Sequence, residues 1–429
     1  MPGHPGPPRF APMSRAHQPS GVAGSTTTTV QTGPLAGVRV LELGSIIAGP
    51  FATRMLGDFG AEVIKIELPG SGDPLREWGV HRHEGRALWW SVQSRNKKLI
   101  TLDVRQPAGR ELCLRLLDAC DVLVENFRPG TLEKWGLGPG RLHERNPKLI
   151  IARISGYGQT GPYANRPGFA SAGEAVGGLR YINGFPQQAA PRAGISLGDS
   201  LAAMSAAQGI LMALYHRDAN GGCGQVIDTA ITESCFALLE SMVPDYGKLG
   251  VIREPSGTVL PHVAPSNVYR TRDGKWVVIA ANGENLWRRL CHTIDRADLL
   301  TDERFRTLGG RVEHMTELDA IIGEWTAQHD AAEIDRILVA ADVVYGPVNS
   351  IADIFQDPQF RDRDMLIEVD DPEVGPLTVP GVVPKLSATP GNPGPTGAWE
   401  LGAHNDDVYR ELLGLDDDQL AALAAAGTI

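Results

Sequence analysis

The chain has 429 residues, 42% of them apolar, and a formal net charge of −11. That is ample for two or three packed cores, and the sign argues against a nucleic-acid surface. Five cysteines (Cys113, Cys120, Cys223, Cys235 and Cys291) show no CxxC spacing, so neither a disulfide framework nor a metal site is expected and a reducing cytoplasm fits; no run of eighteen apolar residues offers a membrane span.

Residues 1–34 are rich in Pro, Gly, Ser and Thr and read as a disordered tail or a misassigned start. A short buried strand is expected over 38–43, a turn over 44–50, a helix over 51–59 ended by Gly60, and a second strand over 63–67. The turn and the helix start of this βαβ unit present unpaired N–H groups, an anion site. The glycines do not follow GxGxxG, which disfavours a nicotinamide fold. Next come a basic turn, Asn96-Lys97-Lys98, before the apolar run 99–104, and a buried parallel strand over 121–125. At the carboxyl end of that strand stand Asn126-Phe127-Arg128-Pro129-Gly130, where open α/β sheets bind ligands.

The stretch 155–178 reads SGYGQTGPYANRPGFASAGEAVGG. Its glycines and prolines make a loop that lets backbone approach a ligand, and the small residues from Ala170 begin a helix that holds Glu174. The apolar stretch 197–215 is interrupted by Asp199, Ser200, Ser205 and Gln208 and reads as a buried helix, with Asp199 as its N-cap and a catalytic role for Asp199 as the alternative. Residues 225–231 lead into a long helix through Leu249, and 250–261 form a linker. A β-hairpin turning at Asp273-Gly274 opens a second unit, followed by helices over 284–294, 315–328 and 331–340 and a strand over 343–348. His262, beside Pro261, reads as a loop histidine rather than an acid or base. From Asp357 a Pro- and Gly-rich path suits an extended surface run, and two short helices, 406–413 and 416–425, finish the chain.

Three motifs carry a resemblance: the βαβ unit, the NKK turn and NFRPG. With the Gly-rich loop, they make the chain from about Leu35 onward similar to the family III CoA-transferases, which include formyl-CoA transferase, carnitine CoA-transferase and the 2-methylacyl-CoA racemases. The resemblance implies an α/β fold, with a Rossmann-like large domain split in sequence (35–249 and 357–429), an inserted smaller α+β domain (250–356), and an interlocked homodimer. It places Ile46, Asn96, Lys97, Asn126, Phe127, Arg128 and Lys134 around coenzyme A.

In the pattern taken for the family's nucleophile, Arg-Pro-Gly-aromatic-Asp, this sequence reads Arg166, Pro167, Gly168, Phe169 and then Ala170. Glu174, one helical turn on, is the expected substitute nucleophile. Leu68 replaces an arginine of the relatives, and Ile47 stands where formyl-CoA transferases have Gln. The implied activity is CoA transfer from an acyl-CoA to a free, possibly dicarboxylic acid through an enzyme-carboxylate thioester. Coenzyme A is then substrate, and no permanently bound cofactor, nucleic acid or membrane is expected. Arg166, Arg180 and Arg192 would suit a dicarboxylate; Gly177, Gly178 or the N–H groups of 156–161 would face an oxyanion. The alternatives are a CoA-ester binding protein without turnover, and an acyl-CoA racemase or isomerase.

Overall fold

The computed structural model describes residues 33–429, so all but the last two residues of the expected tail lie outside the described residues. The first part of the chain alternates strands with helices: β1 (Arg39–Glu42), α1 (Ala48–Asp58), β2 (Glu62–Glu67), α2 (Leu88–Gln93), β3 (Lys97–Thr101), α3 (Pro107–Asp118), β4 (Val122–Glu125), α4 (Thr131–Lys134), α5 (Pro139–Arg145), β5 (Ile150–Ser155), α6 (Ala170–Val176), α7 (Leu197–Ala219) and β6 (Val226–Ala230). The strands form one parallel sheet in the order β3-β2-β1-β4-β5-β6. That order is the Rossmann one, and it reverses direction between β1 and β4, where such sheets open a crevice at their carboxyl ends. Val40 of β1 pairs with Val122 of β4 and Leu41 with Leu123.

Both faces of the sheet are covered, as parallel strands require. Leu41, Ile64, Ile100 and Leu123 point to a core shared with α3 and with residues near the C-terminus. Their neighbours Val40, Val63, Val122 and Ile150 point to the opposite core, filled by α1 and the alanines of α7. By length and composition α7 is apolar enough to cross a membrane, yet Ala202, Ala206 and Ile210 are buried against the sheet. Its N-cap is Ser196, which puts Asp199 in the first turn rather than at the cap. The long helix expected to run through Leu249 is two helices, α8 (Ile231–Phe236) and α9 (Met242–Leu249).

A second core follows, built on an antiparallel three-stranded sheet of β7 (Ser266–Arg270), β8 (Trp276–Ala280) and β9 (Val344–Pro347). Gly274 makes the hairpin turn at φ 80°, where an L side chain is disfavoured. Tyr269, Val277 and Ile279 pack against α10 (Glu284–Thr293), α12 (Met315–Thr326) and α13 (Ala331–Ala340), with α11 (Leu308–Glu313) leading in.

The chain then passes α14 (Ile351–Gln356) and α15 (Pro358–Asp362) into a hairpin of β10 (Leu366–Asp371) and β11 (Gly375–Pro380), where an extended surface path had been expected. Pro376 and Pro380 sit in a two-stranded ribbon whose outer edges need no proline N–H. The last segment, with α16 (Asn405–Leu413) and α17 (Asp417–Ala425), returns to the first sheet and closes the free edge of β3. The Leu99 N–H donates to His404 Nδ1 (3.0 Å), the Thr101 N–H to Asn405 Oδ1 (2.9 Å), and Tyr409 donates its hydroxyl to the Thr101 carbonyl (2.7 Å). With the His404 N–H also donating to the Leu99 carbonyl (3.0 Å), the open strand edge is capped by a helix start and its side chains rather than by another strand.

Candidate active site

A cavity of about 740 Å³ opens at the crevice between β1 and β4. Its walls come from the loop after β1, the NFRPG turn after β4, the start of α6 and the first turn of α7. Asn126 clasps the first two walls together. Its Oδ1 accepts the Ser45 N–H at 2.8 Å and its Nδ2 donates to the Ser45 carbonyl at 2.9 Å. A side chain at Gly44 would come within 3.2 Å of that amide, so the close approach favours glycine.

A buried charge network holds the loop from below. Glu42 accepts from Lys65 and Lys97, each at 2.8 Å, and from the Thr53 hydroxyl at 2.5 Å. Lys65 also contacts Asp73 at 2.8 Å, and Asp73 accepts the Ile46 N–H at 3.1 Å. Burial would raise the Glu42 carboxyl, but the two lysines hold it below its ordinary value. Burial carries Lys97 down to about 8 despite Glu42. Ile46 is held at φ 68°, a left-handed conformation that costs a β-branched residue about 1–3 kcal/mol. Strain of this kind persists only where its surroundings impose it, and here the Asp73 carboxylate does so.

Of the residues expected around coenzyme A, Ile46, Asn126, Phe127 and Arg128 line the cavity, and Asn96, Lys97 and Lys134 do not. Lys97 is buried on Glu42 and the Pro50 carbonyl, not exposed at a turn. Asn96 bonds Asp58 and the Asn392 carbonyl, tying the returning C-terminal segment to α1. Lys134 is exposed on α4. Phe127 stacks edge-on against Trp135, centroids 4.9 Å apart. His262 is exposed and takes no part in the cavity wall.

The two carboxylates differ sharply. Glu174 is buried, and its Oε1 accepts the Gly198 N–H at 3.1 Å; it braces α6 to α7 and is absent from the cavity wall. Asp199, partly buried, is the one acidic residue among the described residues lining the cavity. Burial lifts its carboxyl from 3.8 to about 6, and the charge of Glu174 adds to the rise. The Ala170 N–H and Arg192 oppose it. A desolvated carboxylate that is still mostly ionised at neutral pH has the character a nucleophile needs.

Gly156 and Gly168 let the loops cross: a Cβ on the second would fall 2.7 Å from the Tyr157 ring. Gly177 and Gly178 are not free oxyanion donors, because their N–H groups bond the Gly173 and Ala175 carbonyls. Arg180 is likewise engaged, on Ser171 Oγ (2.8 Å) and the Ala190 carbonyl (3.3 Å), while Arg166 and Arg192 reach the cavity. Trp78 and Trp89, tilted against each other at 6.1 Å, add an aromatic wall that sequence reasoning missed; tryptophans 42% and 39% exposed are unusual enough to mark a surface. A second cavity, about 530 Å³, lies between α16 and α17, where Arg410 is already paired with Asp406 and Asp417. Among the described residues no His, Cys, Asp and Glu cluster suits a metal ion.

A sequence model of CoA-transferase family III matches residues 35–405. The chain is 51% identical to succinyl-CoA–D-citramalate CoA-transferase of Chloroflexus aurantiacus, over 92% of this chain and 98% of that protein. It is 33% identical to succinyl-CoA:glutarate CoA-transferase of Homo sapiens, over 92% and 90%. Among solved structures, a CAIB/BAIF family protein from Brucella suis superposes with a TM-score of 0.79 at 33% identity, over 89% of this chain and 100% of that one.

Proposed function

The chain belongs to CoA-transferase family III and is a CoA-transferase acting on CoA thioesters, and from that premise we propose that it carries CoA between two dicarboxylic acids with Asp199 as the covalent carrier. The observation that carries the assignment is that Asp199 is the acidic group at the cavity wall, with a carboxyl raised to about 6. The names of the relatives, which pair succinyl-CoA with citramalate, malate or glutarate, support a dicarboxylic donor and acceptor.

In this reading the Asp199 carboxylate attacks the donor thioester carbonyl, the C–S bond breaks, and CoA thiolate leaves a mixed anhydride. The thiolate attacks the aspartyl carbonyl of the anhydride, which frees the donor acid and leaves an aspartyl-CoA thioester. The acceptor carboxylate attacks that thioester and expels the thiolate. The thiolate then takes the acceptor's carbonyl, giving the new thioester and restoring Asp199. Each step exchanges one activated acyl bond for another. Developing oxyanions require N–H donors, and Ile47 and Ala48, lining the cavity at the start of α1 where no earlier turn can accept their N–H groups, would supply them. Phe127 and Arg128 would flank the nucleotide. Glu174 becomes a positioning residue, fixing the first turn of α7.

Intact-protein and peptide mass spectrometry with succinyl-CoA, with hydroxylamine to trap activated carboxyl groups, tests the assignment. The adduct is expected on Asp199, lost in Asp199→Asn and retained in Glu174→Gln. An adduct on Glu174 would restore the expectation drawn from sequence, and CoA-ester binding without any adduct would support a protein that has lost turnover.

We further read the enzyme as a cytoplasmic homodimer. The cysteines are unpaired, four of them buried, which suits a reducing compartment. Met204, Leu211, Met212 and Tyr215 of α7 are 46–68% exposed, an apolar stripe suited to a second copy.

A further inference from the structure

Three arginines reach the cavity, and their surroundings separate them. Arg166 lays its guanidinium over the Tyr163 ring, 3.5 Å from the centroid. Arg128 follows Phe127 at the end of β4, on the side where the nucleotide is read to lie. Arg192 stands in the loop entering α7, and its charge acts on Asp199. Among the described residues no carboxylate makes an ion pair with it, whereas Arg153 of β5 is held by Glu125 and Glu133.

The backbone just before Arg192 is braced on three sides. Asn183 Nδ2 donates to the Pro191 carbonyl at 3.1 Å, and Arg180 Nε donates to the Ala190 carbonyl at 3.3 Å. Gly184, at φ 106°, packs so closely that a Cβ there would stand 2.5 Å from the Pro191 ring. The origin of the exposed Arg192 side chain is therefore held on the cavity wall that Asp199 also lines, and its donors are unclaimed by a carboxylate.

A thioester attacked by Asp199 must bring its carbonyl carbon to about 3–3.5 Å from that carboxylate. In a four-carbon dicarboxyl group the remote carboxylate then lies roughly 4 Å further on, three carbon–carbon bonds away. A second negative charge placed there meets repulsion from Asp199 unless a cation answers it. We propose that Arg192 is the specificity-determining residue of the transfer, binding the remote carboxylate of the donor acyl group and then of the acceptor acid, so that dicarboxylates are selected over monocarboxylates of equal length. The inference rests on the dicarboxylate reading above. A planar guanidinium matches a carboxylate with two parallel N–H bonds, which an ammonium cannot do. One arginine serves both substrates because both occupy the same acyl site in turn.

The test is the rate of enzyme-CoA thioester formation by the full chain, followed by intact mass, with succinyl-CoA and with butyryl-CoA, for the unaltered protein, Arg192→Gln and Arg192→Lys. The unaltered protein is expected to favour succinyl-CoA by at least about 30-fold, the scale of one hydrogen-bonded charge pair. In Arg192→Gln this ratio should collapse to within about threefold, and Arg192→Lys should fall between. A ratio that survives in Arg192→Gln, whether both rates hold or both fall together, overturns the proposal and leaves the dicarboxylate reading standing. An unaltered protein that treats both donors alike overturns that reading as well.

Discussion

Asp199 shows how a single residue is set against the stability of its fold. Its carboxyl rises from 3.8 to about 6 on folding, so the folded chain holds that proton more tightly than the unfolded one. The resulting penalty is absent below about pH 4, grows between 4 and 6, and is complete above 6, where two pKa units amount to at most about 3 kcal/mol. Asp199→Asn should therefore unfold at higher urea concentration than the unaltered protein at pH 7.5, show no such advantage at pH 4, and form no thioester. Equal or lower stability at pH 7.5 would mean that the bonds of the carboxylate outweigh its desolvation. The sequence exposes Asp199 only as an acid at a helix start. What raises its carboxyl is burial, with the charge of Glu174 adding to it and the Ala170 N–H and Arg192 opposing it, and local spacing carries no record of that meeting. Lys97, expected around coenzyme A, is hidden for the same reason: an NKK turn carries no sign that β1 brings Glu42 beneath its first lysine. The available signal was Glu42 and Lys65 themselves, charges standing beside the apolar residues of two short strands.

At the scale of elements, short runs closed by a glycine or a turn signal were the most legible. The strand over 38–43, the helix over 51–59 and the hairpin at Asp273-Gly274 appear as β1, α1 and the β7–β8 pair with small shifts at their ends. The ribbon of β10 and β11 was missed because the Pro- and Gly-rich stretch reads as an extended surface path, although a two-stranded ribbon has outer edges that tolerate proline. The single expected helix up to Leu249 divides after Phe236, with Glu240 in the left-handed region, a turn that composition alone did not mark. The closure of β3 makes a definite prediction at this scale. Tyr409 is wholly buried and its hydroxyl meets the Thr101 carbonyl at 2.7 Å. Tyr409→Phe leaves that acceptor without its donor and should lower unfolding free energy by about 1–3 kcal/mol in urea titration; no change would mean that the bond only replaces one with water.

For the whole molecule, the position of the site follows from strand order. Any sheet running β3-β2-β1-β4-β5-β6 opens between β1 and β4, so the turns 44–50 and 126–130, far apart in sequence, become opposite walls of one cavity. The two turns, and the expectation that they face a ligand, were legible in the sequence. It did not reveal the order, since side-chain alternation reports which face is buried and not which strand lies alongside. The same limit applies to assembly. If the exposed stripe of α7 meets a second copy, replacing Met212 and Tyr215 together by Glu should move the protein from dimer to monomer in sedimentation velocity, and a mass unchanged at the dimer value would place the interface elsewhere.

The cap on β3 also has a bearing on time. Thr101 and Tyr409 are 308 residues apart, so at roughly 5–20 residues per second a ribosome needs about 15–60 s to deliver the cover after the strand itself has emerged. Throughout that interval the sheet presents an unpaired edge to other nascent chains. A chain ending before Pro395 prolongs the exposure indefinitely and should collect in the insoluble fraction on expression, while the full chain remains in solution. The segment that carries Tyr409 thus acts as a late stopper, and the expected difference in solubility would trace to how long synthesis takes to reach it.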